Sequence, residues 1–254
     1  MSLPIKSSSI IILRPTKFVE KNDFYDYEVL FMKRSVALPY GNTYSFPSGA
    51  IQKDDFAYIR NSSTGFALNV SENQDLKYHI FKAAAIRIAY EDCGIMIFSN
   101  PVSEENMKNS LSSLAAKSKK SKLTYKDVTR AFDLQYEDSE EVIEIMRTVS
   151  PMSRKLRYDT QIFVVSLTKD YYVNVHTGIN DLAQREDLEK LTIADDYDFY
   201  MWANPNKMLK MYMNKEIEMD LPHFLLTNIL TSFKTSTALV KYLKKIGRAS
   251  CRER

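Results

Sequence analysis

Two adjacent acids, Glu91 and Asp92, close the segment Ala85-Ile86-Arg87-Ile88-Ala89-Tyr90-Glu91-Asp92-Cys93-Gly94-Ile95. On a helix, positions 88, 91 and 92 share a face, because residues three and four apart are neighbours. Arg87 stands one turn before Glu91 and can pair with it. Neighbouring acids at the C-terminal end of a helix are opposed by the macrodipole and by each other. A cation relieves both, and a divalent metal held by oxygen ligands is one such cation. Two solvated surface acids would satisfy the same spacing, so the pattern alone leaves both readings open. Upstream, Phe46-Pro47-Ser48-Gly49 ends a loop rich in Pro and Gly that follows an apolar run.

The elements that must position these residues are legible as hydrophobic pattern. Ser7 to Leu13 and Tyr27 to Lys33 are β-branched and apolar runs expected to form a strand hairpin. Ala37 to Gly49 is expected to be a structured loop. Asn61 to Gln74 is polar and aperiodic, as in a surface insertion. Lys77 to Asp92 contains Ala83-Ala84-Ala85 with no Gly or Pro and predicts a helix capped by Gly94. Ile95 to Phe98 predicts a short strand, and a helix is expected after Asn100-Pro101. The spacing predicts an acidic helix over Leu123 to Met146 and paired strands at Arg157 to Leu167 and Tyr171 to Val175. A strand from Asp195 to Met201, a helix from Pro205 to Met213 and a helix or helix pair from Leu221 to about Lys244 complete the chain. Strands and helices are mixed without regular alternation. An α+β fold, or a mixed-sheet α/β/α sandwich, follows rather than a doubly wound parallel sheet.

Composition excludes several classes. The chain has 254 residues, 44% of them hydrophobic, enough to build a core. Its 35 basic and 32 acidic residues lack the strong basic bias of a nucleic-acid binder. Lys117, Lys119, Lys120 and Lys122 are read as a solvated loop, since no aromatics interleave them. Two Cys and three His leave no disulfide framework and no zinc cluster. No apolar run is long enough for a membrane span, and the N-terminus has no signal-peptide pattern, so a soluble intracellular protein is expected. Cys93 and Trp202 are expected to pack, His79 to lie at the surface and Asp159 to be a structural partner.

In order and spacing these residues resemble the Nudix box, which runs Gly, five residues, Glu, seven residues, then Arg-Glu-apolar-x-Glu-Glu-x-Gly-apolar. Gly49 matches the opening glycine, and Asp55 stands at the first Glu. Arg87 matches the arginine, Glu91 and Asp92 the paired acids, and Gly94 and Ile95 the end. About 24 residues are inserted between Asp55 and Arg87. An insertion there is a feature of the coenzyme A diphosphatase subfamily, which is peroxisomal. Further segments resemble that group: Ser9 to Thr16, Val29 to Ser35, Thr148 to Pro151 followed by Arg157 to Phe163, and Trp202-Ala203-Asn204-Pro205.

The resemblance implies a single Nudix-type domain over residues 1–245, with insertions near 56–79 and 102–148. It implies a metal-dependent hydrolase that cleaves the diphosphate bond of a coenzyme A, acyl-CoA or related nucleoside diphosphate derivative. Glu91, Asp92 and the Gly49 carbonyl would hold Mg²⁺ or Mn²⁺. Glu91 and Arg87 would be catalytic, with Arg34, Phe46 and Gly49 at the substrate. The implied partner is a small molecule, with neither nucleic acid nor membrane, and the implied location peroxisomal or mitochondrial. The sequence departs from the pattern at several places, among them Ser48 for the first of two glycines and Asp92 for the usual, longer Glu. Ile88 occupies the place of the Glu that follows the box arginine, removing one of three carboxylates. The alternative is therefore a Nudix-like binding or structural module without catalysis, unless another acid substitutes, for which the run Glu137, Asp138, Glu140, Glu141, Glu144 is the candidate. In the loop, Asn42 stands where the coenzyme A signature has Gly, and Asn tolerates the left-handed conformation.

The last nine residues, Ile246 to Arg254, look foreign. One allowed codon choice for them, ATC GGA AGA GCG TCG TGT AGG GAA AGA, is an in-frame reading of a sequencing adapter, and they are expected to be an artefact. Without Arg248, Arg252, Arg254 and Glu253, the counts fall to 32 basic and 31 acidic residues and the net charge from +3 to +1. A C-terminal targeting tripeptide would then be hidden.

Overall fold

The computed structural model describes residues 3–16, 24–60, 74–118, 122–134, 141–167, 171–175 and 188–252, with side chains left out at 57–60, 74–75 and 246–252. Ten strands are present among them: β1 (Ile5–Pro15), β2 (Tyr27–Arg34), β3 (Thr43–Ser45), β4 (Ser48–Ala50), β5 (Ile95–Ile97), β6 (Val142–Val149), β7 (Tyr158–Ser166), β8 (Tyr172–Asn174), β9 (Tyr197–Ala203) and β10 (Glu218–Met219). The helices are α1 (Lys53–Arg60), α2 (Gln74–Cys93), α3 (Glu104–Ser118), α4 (Tyr125–Ala131), α5 (Pro205–Met213), α6 (Leu221–Thr231) and α7 (Ser236–Arg252).

The continuous run Ile10-Ile11-Ile12-Leu13 is fully buried because β1 lies inside the sheet with both faces covered. The order is β10-β3-β2-β1-β7-β6, with β4 also on β1 and β9 also on β2. β1 runs parallel to β7 and antiparallel to β2. Ile10, Ile12, Leu30 and Met32 pack on one face against Ala85, Ala89 and Cys93 of α2. Ile11, Leu13, Val29 and Phe31 pack on the other against Met208, Leu226, Leu230 and Leu239 of α5, α6 and α7. The architecture is the expected mixed α+β sandwich. A separate cluster joins α3 and α4 to the two-stranded sheet of β5 and β8 through Met96, Phe98, Leu111 and Val128. Among the described residues no helix is long and apolar enough to cross a membrane.

Three expectations are corrected. The span 123–146 is not one helix: α4 ends at Ala131, and Val142–Val149 is an edge strand on β7. Its acidic residues mimic a solvated helix face, but its β-branched ones pair in the sheet. The strands at 157–167 and 171–175 do not pair with each other: β7 joins β1 and β6, whereas β8 joins β5. Finally, the loop over 37–49 contains β3 and the start of β4. The polar stretch at 61–73 lies outside the described residues. Asn42 adopts the left-handed conformation expected of it (φ 62°), and Tyr40 does so too (φ 60°). Gly41 between them is obligatory, because a Cβ there would lie 2.6 Å from the Ser35 carbonyl oxygen.

Candidate active site

The site is assembled where the end of α2 meets the loop entering β4. Residues 81–90 of α2 are all buried, including Arg87, because the helix packs on the sheet and is flanked by α1 and α4. Gly94 stops it in the left-handed conformation (φ 74°), its N–H donating to the Tyr90 carbonyl at 2.8 Å.

Arg87 organises the surroundings. Its Nε donates to Asp55 Oδ1 at 2.7 Å and its Nη2 to Asp55 Oδ2 at 3.1 Å, a bidentate pair. Nη2 also donates to the Ala50 carbonyl at 3.0 Å, and Nη1 donates to Glu91 Oε2. Arg87 and Asp55 are 3% and 2% exposed, against 39% for Glu91, so the buried guanidinium steers an accessible carboxylate. Burial opposes the Arg87 charge, but Asp55 and Glu91 outweigh it and hold its pKa above the ordinary value. Asp55 also accepts the Gln52 N–H at 2.8 Å, which fixes the start of α1.

Asp92 faces a different environment. Its Oδ2 accepts the Tyr197 hydroxyl at 2.9 Å and the Ser48 N–H at 3.2 Å. Burial pushes its pKa up to about 7, against the lowering effect of those two donors. An acid whose folded pKa is raised binds its proton more tightly folded than unfolded, so stability falls as pH rises from about 4 to 7. In metal-free buffer, Asp92→Asn is expected to flatten that slope in the melting temperature. An unchanged slope would contradict the assignment.

Ile88 is 1% exposed. Its Cγ1 and Cδ1 stand 3.4 and 3.5 Å from where a Gly49 Cβ would be, so the hydrocarbon lies against the Gly49 backbone. Phe46 has no exposed surface, packing 5.4 Å from the rings of both Phe31 and His223, and supports the loop from the core. Arg34 ends β2 opposite Tyr197, at a register irregularity. Thus Gly49, Arg87, Glu91 and Asp92 converge, with Arg34 reaching the same region through Tyr197. The acidic run supplies no third carboxylate among the described residues: Glu141 pairs with Lys244 and Glu144 lies in β6, while residues 137, 138 and 140 fall outside them. Asp159 pairs with Arg147 and Lys6, a structural role. Sequence reasoning missed Tyr197, since no spacing signal links it to a helix about a hundred residues earlier.

Among the described residues no group of three or more His, Cys, Asp or Glu could hold a metal. The two acids fit a less demanding arrangement. Mg²⁺ commonly keeps several waters and is bound by one or two carboxylates together with substrate phosphates. Glu91 and Asp92, with the Gly49 carbonyl, are the residues that would hold such an ion.

No family model and no curated protein matches the chain. Solved structures do. A Nudix hydrolase from Alicyclobacillus acidocaldarius has 15% identity and a TM-score of 0.61, over 95% of this chain and 97% of that one. The Nudix domain of NrtR from Shewanella oneidensis, complexed with ADP ribose, has 8% identity and a TM-score of 0.41 over 90% and 86% of the two chains. A Nudix hydrolase from Listeria monocytogenes has 10% identity and a TM-score of 0.41 over 91% and 93%. The first of these likenesses establishes the fold as that of a Nudix protein.

Proposed function

We propose that this Nudix-fold protein hydrolyses the diphosphate bond of a nucleoside diphosphate derivative, of the coenzyme A or acyl-CoA class. The observation that carries the reading is the Arg87 fork, which neutralises buried Asp55 and holds Glu91 at the site surface beside Asp92. An accessible carboxylate fixed by a buried guanidinium is suited to accept the proton of an attacking water. Asp92, anchored by Tyr197 and Ser48, ties the helix end to the loop that carries Gly49. Mg²⁺ or Mn²⁺, when bound by Glu91, Asp92 and the Gly49 carbonyl, would neutralise charge on the phosphate oxygens. By the same resemblance Arg34 would hold a phosphoryl group of the substrate. A peroxisomal or mitochondrial location would accord with the coenzyme A class.

The test is release of phosphorylated product from coenzyme A, acyl-CoA and ADP-ribose with Mg²⁺ or Mn²⁺. Turnover is expected, and Glu91→Gln is expected to lower it by about 10²-fold or more. Turnover unaffected by Glu91→Gln would overturn the role of Glu91 as the proton acceptor. A second reading, favoured by Ile88 filling the place beside Gly49, is a module that binds such compounds without cleaving them. It requires that the native chain be inert on the whole panel with either metal.

A further inference from the structure

At one end of the sheet, where β1 and β7 begin and β6 finishes, apolar side chains face water. Ile5 of β1 is in register with Tyr158 of β7, and Val149 of β6 with Asp159. The loop from Ser150 to Arg157 joins β6 to β7 there, and residues 151–156 are all exposed. Met152 is 71% exposed, and Ile5, Val149 and Leu156 are exposed beside it. Large apolar side chains gathered in water mark an interaction surface. The loop that carries them is held in place. The Arg154 N–H donates to the Pro151 carbonyl at 3.2 Å, and the Ile5 N–H to the Arg157 carbonyl at 2.9 Å. Arg157 Nε donates to the Ser150 carbonyl at 3.3 Å, and the Tyr158 N–H to Ser150 Oγ at 3.0 Å. The Tyr40 hydroxyl donates to the Leu156 carbonyl at 3.3 Å, with Arg154 over its ring at 5.3 Å. A loop fixed in advance loses little conformational freedom on binding.

Charge selects what covers this surface. From Ser150 to Tyr158 the chain carries Arg154, Lys155 and Arg157 and no acid. Lys6 and Arg147 flank the same end and share the buried carboxylate of Asp159, which leaves one positive charge in excess. Glu144 acts on Arg147, and Asp220 on Arg154, so the end as a whole stays positive. Each apolar tip of the loop has a cation one or two positions away: Arg154 for Met152, Lys155 and Arg157 for Leu156. The core of a protein interface is depleted of lysine and other charges. A lipid surface accommodates the mixture, because long cationic side chains stay at the headgroups while apolar ones pass below them.

We propose that this end of the protein docks on an anionic lipid bilayer. Met152 and Leu156 enter the boundary between headgroups and acyl chains, and Arg154, Lys155 and Arg157 lie at the lipid phosphates. Ile5 and Val149 widen the apolar contact. The candidate active site is close along β1: Ser8 is in register with Gly49, and the Lys6 carbonyl accepts the Ile51 N–H at 3.0 Å. Docking brings the Gly49 loop towards the membrane, where a substrate with an acyl chain is concentrated. That consequence rests on the acyl-CoA reading, whereas docking itself does not.

The full-length protein is sedimented with vesicles of phosphatidylcholine alone and of phosphatidylcholine mixed with phosphatidylserine. Binding to the mixed vesicles is expected, with little to phosphatidylcholine alone, and it should weaken as salt is added. The double variant Arg154→Gln/Lys155→Gln is expected to bind about thirtyfold less tightly, having lost two surface cations. Met152→Ser leaves the charge unaltered and is expected to bind about tenfold less tightly or worse. These three side chains are exposed, so the variants should melt with wild type, which shows that they are folded. No binding to the mixed vesicles, equal binding to both kinds, or undiminished binding by either variant would overturn the proposal. Binding to soluble polyglutamate as tight as to the mixed vesicles would overturn it in favour of an acidic protein. A dimer in lipid-free solution that Met152→Ser dissociates would overturn it in favour of a second copy of this chain. Turnover of ADP-ribose, which has no acyl chain, is expected to be the same in wild type and variants. Loss of docking is thereby told apart from failure of the hydrolase reading, in which wild type turns over nothing and still binds lipid.

Discussion

Replacing Arg87 by alanine is expected to lower the free energy of unfolding by about 3–5 kcal/mol, the cost of removing one partner of a buried ion pair. Asp55 is 2% exposed and receives two of its hydrogen bonds from this guanidinium, so the substitution strands a carboxylate in the interior. It also removes the donor to the Ala50 carbonyl, next to Gly49, and releases Glu91. Lysine is no substitute, since one ammonium cannot bridge both Asp55 oxygens, the Ala50 carbonyl and Glu91. Urea denaturation of the wild type, Arg87→Ala and the double variant Arg87→Ala/Asp55→Asn separates the contributions. The double variant should recover part of the loss, because the stranded charge is gone. A single-variant loss below about 1 kcal/mol, the range of exposed ion pairs, would mean that the pair is not buried as described.

Ile88→Glu is expected to raise metal-dependent turnover by about 10²-fold or more. The side chain lies against the Gly49 backbone, on the helix face it shares with Glu91 and Asp92. A carboxylate there adds a third oxygen donor. Without metal the same change is destabilising, because Ile88 is 1% exposed and a charge replaces hydrocarbon. The variant should therefore melt lower than wild type in chelator and regain stability with Mg²⁺. An ion at a hundred times its dissociation constant contributes about 2.7 kcal/mol. Wild type, with two carboxylates, should respond less. A variant that neither gains turnover nor responds to Mg²⁺ would show that position 88 does not face the ion. A native chain inert on the whole panel, with turnover appearing in the variant, would establish the binding-module reading.

The helix carrying these residues was legible in advance because its signals are local. Ala83-Ala84-Ala85, the absence of Gly and Pro, and a capping Gly94 lie within one stretch of chain, and i to i+4 spacing brings Arg87 to Glu91 without reference to the rest. Asn42 was readable for the same reason, since its tolerance of positive φ is intrinsic to the residue. What the sequence leaves undecided is non-local or ambiguous. Whether Val142–Val149 is helix or strand depends on β7 being there to receive its hydrogen bonds. β7 in turn finds its parallel partner in β1, about 150 residues away, which no local pattern specifies.

From the sequence alone came the type of each site residue and its order along the chain: a glycine after a loop, an arginine, two acids, and an isoleucine where a carboxylate was expected. These are properties of the residues and of helical period. Tertiary structure alone decided which atoms meet. It buried Arg87 between Asp55 and Glu91, laid Ile88 on Gly49 and gave Asp92 the Tyr197 hydroxyl. Burial and hydrogen bonding belong to the packed neighbourhood, and that neighbourhood is drawn from strands and helices far apart in the chain.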